Sequence, residues 1–181
     1  GQMLADTLTR FVAQDYPLAD RLAAGVAELG YDAGKWAMLA ELGVIGALFG
    51  EEAGGFGGAG FDISVVFEAI GRGLVVEPFL QTLLAGSILA SAGSAEQQTR
   101  MTGLLSGETI AALAHFEAND GWQTAYIATT AKRSGDGWVL NGQKAVVRAA
   151  NAAEFLIVSA RCKGQAGDRE GVSVFLVPSD A

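Results

Sequence analysis

AALAHFEANDGWQTAYIATTAKRSGDGWVLNGQKAVV, residues 111–147, decides the architecture: a short apolar strand, an acidic loop and a turn-rich β segment follow one another in it without a helix. Residues 126–133 mix β-branched and aromatic side chains with polar ones. Ser134, Gly135, Asp136 and Gly137 then supply residues that tolerate turn and left-handed conformations, and residues 138–140 read as a short strand. Asn141-Gly142 is the dipeptide best suited to a two-residue type I′ hairpin, so the pattern predicts a return strand over residues 143–147. Residues 154–161 and 172–177 add two more apolar strands, joined by the polar, glycine-containing segment 162–171.

Everything before this stretch reads as helix. Leu4, Leu8, Phe11 and Val12 recur at helical spacing, and Pro17 opens a second segment in which Leu18, Leu22 and Val26 share a face that Gly30 ends. Asp32 suits the N-cap of a helix holding Trp36, Leu39, Ala40 and Leu42, with Gly43 at its C-terminal cap. Asp62 reads as the cap of the next helix, whose stripe is Ile63, Val66, Phe67, Ile70 and Leu74, closed by Gly71-Arg72-Gly73. Pro78 separates it from a buried apolar helix, and Ser94 with Gln97 makes a capping box for a helix through Leu105. Helices followed by strands give an α+β chain: a helical domain over residues 1–106 and an incomplete antiparallel β domain over residues 107–181.

Composition narrows the function. The chain has 181 residues, half of them hydrophobic, enough for one large or two small cores. Twelve basic against 20 acidic residues give a net charge of -8 with no basic run, which argues against a nucleic-acid partner. One cysteine and one histidine leave no set of ligands for zinc and no intrachain disulfide, so a metal-free, cytoplasmic protein is expected. The most apolar segment, residues 80–92, is too short for a membrane span and carries Gln81, Thr82, Ser87 and Ser91; the N-terminus lacks the basic and apolar regions of a signal peptide.

Gly55, Gly57 and Gly60 match the G-x-G-x-x-G pattern of dinucleotide-binding loops. The surroundings argue against it. Glu51, Glu52 and Asp62 would repel a phosphate, and no strand-helix alternation follows, so a structural loop between helices is the expected reading.

Residues 39–58 (LAELGVIGALFGEEAGGFGG), 112–117 (ALAHFE) and 128–161, taken in their order and spacing, resemble the acyl-CoA dehydrogenase family over essentially the whole chain. The resemblance implies helical N-terminal, β middle and helical C-terminal domains, a non-covalent FAD, an acyl-CoA substrate and α,β-dehydrogenation. It also implies a homo- or hetero-oligomer with another subunit of this kind and an electron-accepting flavoprotein. The proton-abstracting glutamate of the family lies in the C-terminal domain, so no catalytic residue is expected within these residues.

Transferred residue by residue, the resemblance puts flavin contacts on Leu113, His115 and Phe116, and on Val146, Val147 and Arg148 in a second segment. Gly121 and Trp122 fall where the family contacts substrate, with Trp122 replacing a serine. The family loop Thr-Glu-Pro-Gly-Ala-Gly-Ser-Asp is matched only at Glu117 and Gly121, and the family's Trp-Ile-Thr is replaced by Val146-Val147-Arg148, which removes an aromatic wall. These departures resemble the small or atypical subunits of bacterial heteromeric acyl-CoA dehydrogenases of the pimeloyl-CoA or steroid side-chain type. Two roles therefore stand side by side: a flavin-binding dehydrogenase subunit, and a non-catalytic assembly subunit that completes a partner's site. Simpler roles are also open for single residues: His115 satisfied by a backbone carbonyl, Glu117 holding its loop through backbone N–H groups, Trp138 packing under the hairpin and Arg148 as a solvated charge.

Overall fold

Capping chemistry and glycine placement set the helix boundaries of the N-terminal half. The computed structural model describes residues 2–58, 60–119, 121 and 123–181. These fall into two units, Gly1–Ile110 and Ala111–Ala181.

The first unit contains α1 (Gln2–Asp15), α2 (Leu18–Val26), α3 (Ala33–Glu41), α4 (Gly60–Gly73), α5 (Phe79–Ala92), α6 (Ala95–Gln98) and α7 (Met101–Ser106). The Asp32 side chain accepts from the amides of Gly34 and Lys35 at 2.8 and 3.0 Å, capping α3, and Gly43 leaves that helix with φ +77°, a conformation that strains any residue with a Cβ. Ser94 and Gln97 exchange both bonds of a capping box. Its helix is shorter than expected, because turns at Thr99 and Arg100 separate α6 from α7. Asp62 lies in the first turn of α4 and not at its cap, where its charge still favours the helix N-terminus.

Packing in this unit is built on large apolar side chains. Helix α1 lies on α4, with Leu8, Phe11, Val66 and Ile70 buried. Trp36 meets Phe79 edge-on at 5.0 Å, and its indole N–H donates to Gly107 O at 3.0 Å. In α2 the expected apolar face is reversed: Leu18, Leu22 and Val26 are exposed, and the residue turned inward is Ala24. Beside this core, Tyr16 donates to Glu77 at 2.6 Å. Burial, more than any neighbour, raises the Glu77 carboxyl above its ordinary range, and its Oε1 has no hydrogen-bond partner among the described residues. Among the described residues no helix is long and apolar enough to cross a membrane.

The second unit is a sheet of β1 (Ala111–Ala114), β2 (Thr130–Ser134), β3 (Gly137–Asn141), β4 (Phe155–Arg161) and β5 (Val172–Pro178). Strand β4 is central: β5 runs antiparallel along its whole length, β1 pairs with it in parallel from Ala111↔Phe155, and β2 joins it at Thr130↔Arg161. Flanked on both edges, β4 is apolar from Phe155 to Val158 and is almost wholly buried, Ser159 and Arg161 included. Strands β2 and β3 form an antiparallel hairpin closed at Ser134↔Gly137, with Gly135 at φ +58° supplying the left-handed turn residue.

The sheet is therefore mixed, correcting the antiparallel expectation. Strand β1 reaches β4 by a long crossover, which delivers it in parallel, and turn chemistry carries no trace of that pairing. The return strand over residues 143–147 is also absent. Gly142 is needed for a different reason: a Cβ there would lie 2.5 Å from Thr129 Oγ1 and 2.6 Å from its Cα, so the chain passes Thr129 too closely for any side chain.

Candidate functional site

Residues 115–117 leave the end of β1 as a loop, and the chain returns to it at residues 144–145 after the hairpin. The Ala145 amide donates to Phe116 O at 2.8 Å, and Lys144 Nζ donates to His115 O at 3.0 Å. Two segments about thirty residues apart in sequence are thus joined by one backbone and one side-chain hydrogen bond.

The carboxylate of Glu117 is the centre of the joint. Its Oε1 accepts from Lys144 Nζ at 2.8 Å and Thr129 N at 2.9 Å, and its Oε2 from Ala128 N at 2.9 Å. Burial alone would raise this carboxyl, but the Lys144 ammonium and the Thr129 and Ala128 donors outweigh it and hold the group down at about 2. Side chains on both sides of the pair are more than nine-tenths buried, so the interaction is shielded from solvent screening. His115 bridges outward from this pair: Nδ1 lies 3.1 Å from Ser159 Oγ and Nε2 3.0 Å from Thr124 O.

A second hub closes the far end of the loop. Arg161, 5% exposed at the end of β4, spreads its guanidinium over backbone carbonyls: Nε to Ile127 at 2.8 Å, Nη1 to Glu170 at 2.9 Å, and Nη2 to Ala166 and Asp168 at 2.9 and 3.0 Å. Residues 125–127 are thereby tied to the segment before β5. With Glu117 holding Ala128 and Thr129, both flanks of the loop are anchored.

The six residues expected at a cofactor divide by exposure. Leu113 lies in β1 and is half-buried; His115 is half-buried with both ring nitrogens engaged; Phe116 is 45% exposed. Val146 is 80% exposed and takes φ +53°, a left-handed conformation that β-branched residues rarely adopt. Val147 is half-buried and Arg148 exposed. The Ala145–Phe116 bond sets Phe116 and Val146 on adjoining backbone, so the two exposed apolar side chains stand on neighbouring segments. Gly121 is exposed at φ +57°, and Trp122 lies outside the described residues. Trp138 packs edge-on against Phe175 at 5.3 Å.

Sequence reading missed Lys144, Ser159 and Arg161. Lys144 was visible as the third residue of Gly142-Gln143-Lys144, but its partners come from β4 and from the loop, which no local pattern connects.

The glycine loop is organised for itself. The amides of Gly55, Phe56, Gly57 and Gly58 donate to the carbonyls of Gly50, Gly46, Phe49 and Ala47 at 2.9–3.2 Å, leaving these four turned into the loop and not toward a phosphate. A Cβ at Gly57 would lie 2.4 Å from Ala47 O, so the glycines serve close backbone packing.

Residues 1–108 match the family model of the acyl-CoA dehydrogenase N-terminal domain, and residues 112–181 match that of the acyl-CoA dehydrogenase middle domain. The chain belongs to the acyl-CoA dehydrogenase family. It is 33% identical over 181 residues to a benzylmalonyl-CoA dehydrogenase of Aromatoleum aromaticum, covering 98% of this chain and 46% of that protein. Among solved structures it is similar to a variant of the Tcur3481-Tcur3483 steroid ACAD, with a TM-score of 0.88, 31% identity and coverage of 99% of this chain and 48% of that one. It is similar as well to a chain of the ChsE4-ChsE5 complex from Mycobacterium tuberculosis, with a TM-score of 0.84, 25% identity and coverage of 99% and 47%. The chain spans less than half the length of the curated relatives it matches, 46% and 38% of the first two.

Proposed function

We propose that this chain is the N-terminal and middle-domain part of an FAD-dependent acyl-CoA dehydrogenase subunit that carries out α,β-dehydrogenation of an acyl-CoA thioester. The observation that carries the reading is the joint itself: the Ala145–Phe116 hydrogen bond and the Lys144–His115 bond bring the two segments together on which the family resemblance puts the flavin. Phe116 and Val146 stand exposed on those segments beside backbone polar groups. An apolar platform with a polar backbone edge suits a flat ring system with a polar rim, so the residues present fit the flavin.

When bound, FAD supplies the hydride acceptor, chemistry that no side chain offers. The chain's own part is positional. Leu113, His115, Phe116, Val146, Val147 and Arg148 would hold the ring and its edge, and Gly121 and Trp122 would face the acyl-CoA. Glu117 and Lys144 hold the loop and move no proton in this reading, and the base that takes the α-proton comes from beyond these residues. A cytoplasmic location and an electron-accepting flavoprotein partner complete the proposal.

A second reading rests on Val146-Val147-Arg148, which brings no aromatic wall to the ring. In it the chain is a non-catalytic assembly subunit that completes a partner's site, in keeping with the two-component names of the steroid ACAD and the ChsE4-ChsE5 complex. Purification decides between them. Flavin absorbance in the subunit purified alone supports the first reading; flavin bound only after co-expression with a second acyl-CoA dehydrogenase-like chain supports the assembly role; no flavin in either preparation overturns both.

A further inference from the structure

Lys144 lies in neither of the two segments assigned to the flavin, yet each N–H of its ammonium has a partner: the Glu117 carboxylate at 2.8 Å, the His115 carbonyl at 3.0 Å and the Ser159 hydroxyl at 3.2 Å. An ammonium only donates, so Ser159 Oγ accepts from it. At the far side of the ring, His115 Nε2 lies 3.0 Å from the Thr124 carbonyl, which only accepts, so the ring proton resides on Nε2. In the neutral imidazole Nδ1 is then the acceptor, and the Ser159 hydroxyl, already receiving from Lys144, donates to it across 3.1 Å. The donors all point one way, from ammonium to hydroxyl to imidazole to carbonyl, an arrangement in which each bond polarises the next.

We propose that Lys144 is the positioning residue of the candidate flavin site, fixing His115 as its Nε2–H tautomer through Ser159 and, through Glu117 and the His115 carbonyl, holding residues 115–117 to residues 128 and 129. The flavin part of this statement rests on the function proposed above; the tautomer and the loop do not. One side chain reaches the loop at its start through the His115 carbonyl, at its middle through the His115 ring and Thr124, and at its end through Glu117 and the amides of Ala128 and Thr129. Arginine is no substitute: three acceptors gathered around one nitrogen suit a tetrahedral ammonium and not a planar fork.

His115 is the single histidine of residues 1–181, and the cross-peaks lost in His115→Gln assign its imidazole nitrogens in a long-range proton–nitrogen correlation spectrum. In the full subunit at neutral pH the spectrum is expected to show a protonated Nε2 and an unprotonated Nδ1. Ser159→Ala is expected to convert this to a mixture of tautomers in a folded protein. Lys144→Met is expected to do the same, to speed amide exchange at Ala128, Thr129 and Ala145 at least tenfold, and to weaken FAD binding at least tenfold, with Lys144→Arg restoring less than half of that loss. If Lys144→Met does not fold, Ser159→Ala still tests the relay. A protonated Nδ1 in the wild type, or a tautomer unmoved by Ser159→Ala, overturns the proposal, as does unchanged exchange in folded Lys144→Met. Absence of FAD binding by the wild type with the tautomer and exchange responses intact removes the flavin reading and leaves the positioning role standing.

Discussion

Glu117 and Glu77 are both buried carboxylates, and their surroundings push them in opposite directions. Glu117 is held at about 2 against an ordinary 4.5, so it contributes stability that is present above about pH 4.5 and lost as the pH falls toward 2. That difference corresponds to roughly 3 kcal/mol. Glu117→Gln is expected to lower stability at pH 7 by about this amount, since it leaves Lys144 buried without its counter-charge, and to flatten the acid limb of a urea-unfolding series between pH 2 and 4.5. An unchanged acid limb would show that the pair does not govern it. Glu77 has a raised pKa, chiefly from burial, so the native state favours its protonated form and the stability it contributes is present below its unfolded value and lost as the pH rises through the folded one. Glu77→Gln keeps an acceptor for Tyr16 and removes the charge. The stability difference between variant and wild type should move in the variant's favour from pH 4 to pH 8; a difference independent of pH would contradict this account. Neither assignment was open to sequence reading: Glu77 and Tyr16 are 61 positions apart, and Glu117 and Lys144 are 27.

Whole elements were legible where the information is local. Asp32, Gly43 and the Ser94–Gln97 box mark their helix ends because a cap needs one side chain and the next few amides, and Gly135 marks its hairpin for the same reason. Elements failed where the cause is distant. Asn141-Gly142 has the composition of a hairpin turn, but Gly142 answers to the passing backbone of Thr129, and the parallel β1–β4 pairing follows from a crossover. Helix α2 shows a third kind of miss: Leu18, Leu22 and Val26 do share a stripe, but helical spacing says only that side chains line up and not which side the core lies on. With Leu22 65% exposed, Leu22→Lys is expected to change the stability of this chain by less than about 0.5 kcal/mol. A loss above about 2 kcal/mol, measured by urea unfolding, would show that the stripe is part of the core.

At the scale of the molecule, a helical unit precedes a mixed sheet, and the sheet carries two segments drawn together by one lysine and one carboxylate. The order of helices and strands and the quoted motifs made the family legible; the joint was not, because Ser159 on β4 and the loop amides meet Lys144 only in three dimensions. Residues 1–181 expressed alone are expected to show no turnover of acyl-CoA thioesters with an artificial electron acceptor, since the proton-abstracting base is assigned elsewhere. Measurable turnover would refute that assignment. The central claim is that the joined segments form a flavin surface, and titration of FAD into the isotope-labelled protein, followed through backbone amide shifts, tests it most directly. The account predicts perturbations concentrated at residues 113–117 and 145–148, with residues 55–60 unmoved; perturbations centred on the glycine loop, with the joined segments silent, would contradict it.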